Sequence, residues 1–300
     1  MRLRSRHILS IPLALLLAVG VVLATADSPP AVGESTGSSP GAEACSPARG
    51  DRMLGDALLH VPRRASAPMA LVIGFHGARG TGPGFARESG LSSTADRHGF
   101  AVLYPTAGSP GHFWSLNRSM RPDDVGRLRA LLPQALRGAC GDPKRVYATG
   151  VSNGGGFAAR VGCEMAGTVT AIAPVAGGYR ALDDCPGNRR TSVLEIHGTA
   201  DHVVPYTGRG PQREGDPQDF VTDWARRDGC AVATVETHPR PGAHRLRHRH
   251  CPPGLAAEHI RLDGTVHGWP DFEQPIRLHN PTGLQTNEVI WRFFTSVRAP

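Results

Sequence analysis

RVYATGVSNGGGFAAR, residues 145–160, decides how this chain is read. Val146, Tyr147, Ala148 and Thr149 favour an extended strand, and the small residues from Gly154 to Ala159 favour a closely packed helix. Between them Gly150-Val151-Ser152-Asn153-Gly154 spells G-x-S-x-G. In a chain with 37 glycines the bare motif is weak. Set between a strand and a helix, it acquires a mechanical meaning. A sharp turn there holds the serine in a strained conformation that only glycine neighbours tolerate at close range, and raises its hydroxyl above the sheet edge. The competing interpretation is a glycine-rich helix start capped by an incidental serine.

Outward from this stretch the apolar runs repeat the alternation. Residues 69–75 (MALVIGF), 100–105 (FAVLYP), 169–177 (VTAIAPVAG), 192–198 (SVLEIHG) and 259–264 (HIRLDG) read as strands. Residues 123–136 (DDVGRLRALLPQAL) open with acids and carry apolar residues at helical spacing, and residues 287–297 (NEVIWRFFTSV) read as a closing helix. Continuous apolar strands alternating with helices predict an α/β fold, a mostly parallel central sheet with helices on both faces.

A serine hydroxyl becomes a useful nucleophile when a histidine takes its proton and an acid orients that histidine. On such a sheet the chain order is serine, acid, histidine. The loop Thr199-Ala200-Asp201-His202-Val203-Val204-Pro205 follows the strand at 192–198, so Asp201 is the candidate acid. Asp183 and Asp184 compete, but they precede that strand and sit in a polar loop beside Cys185. After the last strand comes Thr265-Val266-His267-Gly268-Trp269-Pro270, and His267 is the candidate base. Packing or a surface position accounts for most of the other thirteen histidines. The developing oxyanion needs donors. The Asn153 N–H, at a helix N-terminus, is one. The Ala78 N–H is the second, with Gly77 next, in the His76-Gly77-Ala78 turn that follows residues 69–75. No metal and no cofactor is called for.

Composition bounds the rest. The 300 residues, 40% hydrophobic and 20% charged, exclude wholesale disorder, collagen and coiled coil. Setting aside Arg2, Arg4 and Arg6 lowers the formal charge from +7 to +4, too small a surplus to argue for nucleic acid. Those arginines, the apolar run 8–23 and Ala24-Thr25-Ala26 read as a signal peptide over residues 1–26. At 16 residues that run is shorter than the roughly 20 of a membrane span, so no stable membrane anchor is expected. Residues 27–44 read as a flexible leader, and residues 45–300 as one catalytic domain. The expected location is extracellular.

Six cysteines, none in a CxxC pair, suit an exported disulfide protein better than a zinc ribbon. Residues 232–238 and 244–250 flank a Pro-Arg-Pro-Gly-Ala turn and read as antiparallel strands. Folding about Arg240 and Pro241 sets Thr237 opposite His244, Val235 opposite Leu246 and Cys230 opposite Cys251, within disulfide reach. The other four are assigned as Cys163–Cys185 and Cys45–Cys140, out of fifteen connectivities open to six cysteines. His244, His248 and His250 alternate with Arg245, Arg247 and Arg249, which would repel a cation, so this run reads as a solvated strand rather than a metal site.

FHGARG, FAVLYP, PDDVGRLRALL, DPKRVYATGVSNGGGFAARVGC, IAPVAG, IHGTADHVVPY, GTVHGWP and VIWRFF together resemble the secreted polyhydroxybutyrate depolymerases and feruloyl esterases, over residues 53–297. The resemblance implies an α/β-hydrolase fold and a cofactor-free mechanism with Ser152, Asp201 and His267 as nucleophile, acid and base. It leaves open polyhydroxyalkanoate, feruloyl and acetylated-xylan esters. A serine peptidase of the same fold, or a binding protein on an inactive hydrolase scaffold, are the readings from other classes. No appended adsorption module is visible, since the chain ends with its last helix. Trp114 and Trp269 are candidate walls of an acyl pocket.

Overall fold

The computed structural model describes residues 45–298, except 180–181, 183–184, 186–189, 209–214 and 271–279. The signal and leader readings, and the competing acids Asp183 and Asp184, lie outside the described residues. Ten strands form one sheet in the order β1-β2-β4-β3-β5-β6-β7-β10-β9-β8. They are β1 (Gly50–Leu54), β2 (Ala57–Val61), β3 (Met69–Phe75), β4 (Ala101–Tyr104), β5 (Gly141–Val151), β6 (Ala171–Val175), β7 (Ser192–Gly198), β8 (Thr234–Arg240), β9 (Ala243–His248) and β10 (Ala257–Leu262). The six from β4 to β10 in sheet order run parallel. Antiparallel pairs extend the sheet at both ends.

Strand periodicity builds both cores. Leu71, Ile73 and Phe75 enter one apolar cluster with Leu128 and Leu132 of α3 (Asp124–Ala139), Phe157 of α4 (Asn153–Glu164) and Trp224 of α5 (Pro217–Asp228). Ala70 and Val72 enter the other, with Phe85 of α1 (Gly82–Ser89), Ala95 of α2 (Leu91–His98) and Phe293 of α6 (Thr286–Ser296). Both faces of the central strands are therefore covered, as continuous apolar runs require.

Three disulfides form: Cys45–Cys140, Cys163–Cys185 and Cys230–Cys251, with Cα separations of 5.7, 4.9 and 3.9 Å. The β8–β9 register differs from the expected one by a residue. Glu236, not Val235, lies opposite Leu246, and Thr237 lies opposite Arg245. The turn is Pro241-Gly242, with Arg240 opposite Ala243 and Gly242 at φ 72°, and a bulge between Thr237 and Arg240 shifts the pairing beyond it. Cys230 and Cys251 still meet because the pairing continues past the strands, with the Ala231 N–H donating to Arg249 O at 2.8 Å and the Arg249 N–H to Ala233 O at 3.0 Å.

The arginines of β9 do not surround its histidines as expected. Arg245 and Arg247 reach Glu258 on β10, while His244 bridges Glu236 and Asp263, so the cations do not share the histidine face. Glu236, His238 and His244 are the one trio of metal-capable side chains found among the described residues, and Glu236 and His238 are exposed.

Candidate active site

The turn from β5 into α4 carries Ser152 at φ 58°, ψ −123°, a left-handed conformation that a residue with a Cβ holds at a cost of about 1–3 kcal/mol. Two glycines make it possible. A Cβ on Gly150 would stand 2.5 Å from the Gly154 carbonyl oxygen, and one on Gly154 would collide with the carbonyl oxygens of Phe75 and His76. The Ser152 N–H donates to Val175 O at 2.9 Å, and the Gly156 N–H to Ser152 O at 3.0 Å. The turn is thereby fastened to β6 and to its own helix.

Asp201 follows β7 and His267 follows β10, which are neighbours in the sheet. Their loops are laced together: the Thr199 N–H donates to Leu262 O, the Ala200 N–H to Thr265 O and the Gly264 N–H to Thr199 Oγ1. His267 Nδ1 accordingly donates to Asp201 Oδ2 at 2.7 Å. The other carboxylate oxygen accepts the Val203 and Val204 N–H groups at 2.9 and 2.8 Å. Burial opposes ionisation of Asp201, but hydrogen bonds from His197 and His267 outweigh it and hold the carboxyl below the usual carboxylate range. Among the described residues the Ser152 hydroxyl has no hydrogen bond, so serine and histidine are not joined as acid and histidine are. Catalytic hydrogen bonds of this kind commonly tighten only when substrate is bound.

The His76-Gly77-Ala78 turn lies against the serine; a Cβ on Gly77 would be 3.7 Å from Ser152 Cβ. Neither the Asn153 nor the Ala78 N–H has a partner among the described residues. Both are thus available to an oxyanion. Sequence reasoning missed what braces them. His76 Nε2 accepts the Ala107 N–H at 3.0 Å, so its proton sits on Nδ1, which donates to Gly77 O at 2.6 Å. Burial pushes the His76 pKa down and favours this neutral ring. The Asn153 side chain accepts the Trp114 N–H at 2.7 Å, and the Trp114 indole donates to His76 O at 2.9 Å. The spacing of a histidine directly after a buried strand was the available signal.

Trp114 and Trp269, the candidate walls of an acyl pocket, are buried, at 2% and 1% exposed. Trp114 stacks on Phe157 at 4.6 Å. Trp269 packs edge-on to Phe85 at 5.3 Å, and its indole donates to Asn287 Oδ1, anchoring the His267 loop to α6. The apolar side chains left in solvent nearby are Phe113, 41% exposed beside Trp114, and Val203, 60% exposed beside Asp201.

A strained serine between strand and helix, an aspartate–histidine pair on the next loops and unpaired N–H groups beside the serine define the class: α/β-hydrolase. Comparison with known proteins carries this further. Residues 54–179 match the family described as Esterase PHB depolymerase. Feruloyl esterase B of Piromyces equi is 28% identical over 229 residues, 69% of this chain and 42% of that protein. Probable feruloyl esterase C of Aspergillus niger is 28% identical over 186 residues, 60% of this chain and 63% of that one. The chain therefore spans less than two thirds of the length of these relatives. The solved acetyl xylan esterase from Aspergillus awamori superposes with a TM-score of 0.58 at 16% identity, covering 81% of this chain and 97% of that structure. The chain has the α/β-hydrolase fold, and its residues 54–179 are similar to that esterase family.

Proposed function

We propose that the protein is a secreted serine carboxylic ester hydrolase. The observation that carries this reading is the 2.7 Å Asp201–His267 bond beside a glycine-built serine turn. Asp201 fixes the ring so that Nδ1 holds the proton and Nε2 offers its lone pair. His267 Nε2 takes the Ser152 proton as the oxygen attacks the acyl carbon, and the Asn153 and Ala78 N–H groups receive the negative oxygen of the tetrahedral intermediate. The alcohol leaves with the proton from His267. Water then attacks the acyl-enzyme by the same route, and the carboxylic acid departs.

For the substrate, feruloyl and polyhydroxyalkanoate esters are the leading classes, with acetylated xylan next. The names of the curated relatives support the first of these. Phe113 favours an aromatic acyl group: it is exposed, it neighbours the serine-side loop through the Arg79 N–H to His112 O bond, and the Arg79 guanidinium lies 5.9 Å from its ring. Three disulfides agree with an oxidising compartment, and among the described residues no helix is long and apolar enough to cross a membrane.

The test is hydrolysis of p-nitrophenyl butyrate, methyl ferulate, acetylated xylan and polyhydroxybutyrate, with fluorophosphonate labelling of the nucleophile. Ser152→Ala should abolish labelling and lower the rate by about 10⁶-fold, as loss of a triad nucleophile does. Labelling that survives Ser152→Ala removes this serine from the mechanism.

A further inference from the structure

The strand that leads to Asp201 carries two ionisable residues in an otherwise apolar run, Glu195 and His197. Being two apart, they lie on one face of β7. The β7–β10 register sets His259 opposite Glu195 and Arg261 opposite His197. Glu195, His197, His259 and Asp201 are all 3% exposed or less. Ionisable groups at that depth persist only if they are paired.

Their hydrogen bonds fix where the protons are. The Gln218 amide donates to the Tyr206 hydroxyl oxygen at 2.9 Å, leaving the Tyr206 O–H to donate to His259 Nε2 at 2.9 Å. His259 therefore keeps its proton on Nδ1 and donates it to Glu195 Oε2 at 2.7 Å. The Tyr179 O–H donates to Glu195 Oε1, also at 2.9 Å. Three donors thus converge on Glu195, counting His197 Nδ1 at 2.9 Å. The other nitrogen of His197, Nε2, lies 2.8 Å from Val204 O and 3.3 Å from Asp201 Oδ2. Among the described residues, every atom facing either nitrogen of this ring is an oxygen that accepts. A neutral imidazole has one N–H, so its second nitrogen would turn a lone pair onto another lone pair. Both nitrogens must carry a proton.

We propose that His197 is a positioning residue for the ester hydrolase: an imidazolium clamped by Glu195, it holds the buried Asp201 carboxylate ionised and turned so that Oδ2 meets His267 Nδ1. The proposal rests on the reading of Asp201 and His267 as catalytic acid and base. His197 touches no reacting atom; it acts through Asp201. The charges then balance in use. Asp201 and Glu195 are negative and His197 positive, so the group carries one net negative charge at rest, and the proton that His267 takes from Ser152 brings the sum to zero. Beyond these groups, Arg261 faces the cluster from β10 with its guanidinium on Asp263, and Asp216 caps α5 near Tyr206. The electrostatics agree with the geometry: burial lowers the His197 pKa, and the Glu195 carboxylate with the surrounding acceptors reverses this and raises it to about 10.

The experiment compares wild type with His197→Gln and Glu195→Gln, using p-nitrophenyl butyrate across pH and thermal melting as a folding control. In folded His197→Gln, kcat/KM should fall about 10- to 100-fold, the scale of a displaced supporting group, with the loss in kcat and little change in KM. The acid limb of kcat/KM should also move to higher pH, because a nearby cation that opposed protonation of His267 is gone. A packing role alone would lower the melting temperature and leave that limb in place. Glu195→Gln takes away the carboxylate that keeps His197 charged, so His197, the nearer group to Asp201 and His267, should discharge and the limb should move the same way. A folded His197→Gln enzyme within twofold of wild type, with the same limb, overturns the proposal. If neither variant folds, wild-type protein labelled with 15N-histidine decides. Near pH 8, where an ordinary imidazole is neutral, His197 should still show both ring N–H groups, and a single N–H there overturns the proposal. Wild type that hydrolyses no ester strikes the functional reading instead, and the spectrum still answers for His197.

Discussion

Replacing Asp201 by Asn removes one charge and reverses one hydrogen-bond direction, and the contacts of this side chain dictate the outcome. Among the described residues the carboxylate is met only by donors: the Val203 and Val204 N–H groups on Oδ1, and His267 Nδ1 and His197 Nε2 on Oδ2. An amide has one accepting oxygen and an NH2 group. If the oxygen stays at the Oδ1 position, the NH2 faces His267 and drives its proton to Nε2, the tautomer that cannot accept from Ser152. If the amide is flipped, the NH2 confronts two backbone N–H groups, and the loop must open to relieve them. The first arrangement keeps two backbone bonds and is favoured. Forcing the wrong tautomer in a serine triad lowers kcat by about 10⁴-fold, or roughly 5.5 kcal/mol of transition-state stabilisation at 1.36 kcal/mol per tenfold. Steady-state hydrolysis of p-nitrophenyl butyrate by Asp201→Asn, with circular dichroism to confirm the fold, measures it. Activity within tenfold of wild type would refute Asp201 as the orienting acid and reopen the search among the other carboxylates.

Two further outcomes are expected. Replacing Cys230 and Cys251 by Ser should cost about 3 kcal/mol in denaturant unfolding, the chain-entropy value for a loop near twenty residues; an unchanged midpoint would mean that the hairpin is held by its ladder alone. The Glu195–His197 pair should shape stability against pH. His197 titrates at 6.5 when unfolded and about 10 when folded, so its contribution is complete below pH 6.5 and is lost as pH rises through about 10. Glu195 is buried, but the His197 charge and the His197 and His259 hydrogen bonds bring it from 4.5 to about 2, so its contribution is complete above pH 4.5 and is lost as pH falls towards 2. Melting temperature measured from pH 3 to 11 should therefore decline on both sides, and Glu195→Gln should flatten the alkaline decline; equal alkaline slopes would contradict the pairing.

Residues whose roles depend on their own strand were legible, and residues whose roles depend on strand neighbours were not. MALVIGF at 69–75 is β3 to the residue, because a run buried on both faces has no polar position to blur its ends. The serine turn was readable because its glycines, its strand and its helix are contiguous. The β1–β2 hairpin went unread: β1 is half exposed and mixes Asp51 and Arg52 with Met53 and Leu54, so neither period stands out. Helix α5 was missed for its polarity, although Asp216 and Pro217 at its start and Gly229 at its end are ordinary start and stop signals. The hairpin register differs from a symmetric fold about Arg240 and Pro241 because the turn is Pro241-Gly242 and a bulge adjoins it, features that the alternation of residues along the strands does not mark. Glu195, His197 and His259 become a group only once β10 is laid beside β7, a long-range pairing that no spacing along the chain encodes.

Strand β8 closes one end of the sheet, and all seven of its residues are exposed. Such a border is an invitation: a row of unsatisfied peptide groups onto which a strand from a neighbouring molecule could dock, and at high concentration such docking leads to fibres. This border is defended. Pro239 removes one peptide donor outright, the bulge between Thr237 and Arg240 breaks the straight run, and Glu236, His238 and Arg240 put ionisable groups where an incoming strand would need apolar ones. The Cys230–Cys251 bond ties the far end of the hairpin, so the strand cannot peel away to exchange with another copy. The hairpin thereby sets a guarded border to the sheet, at a distance from the chemistry in its middle.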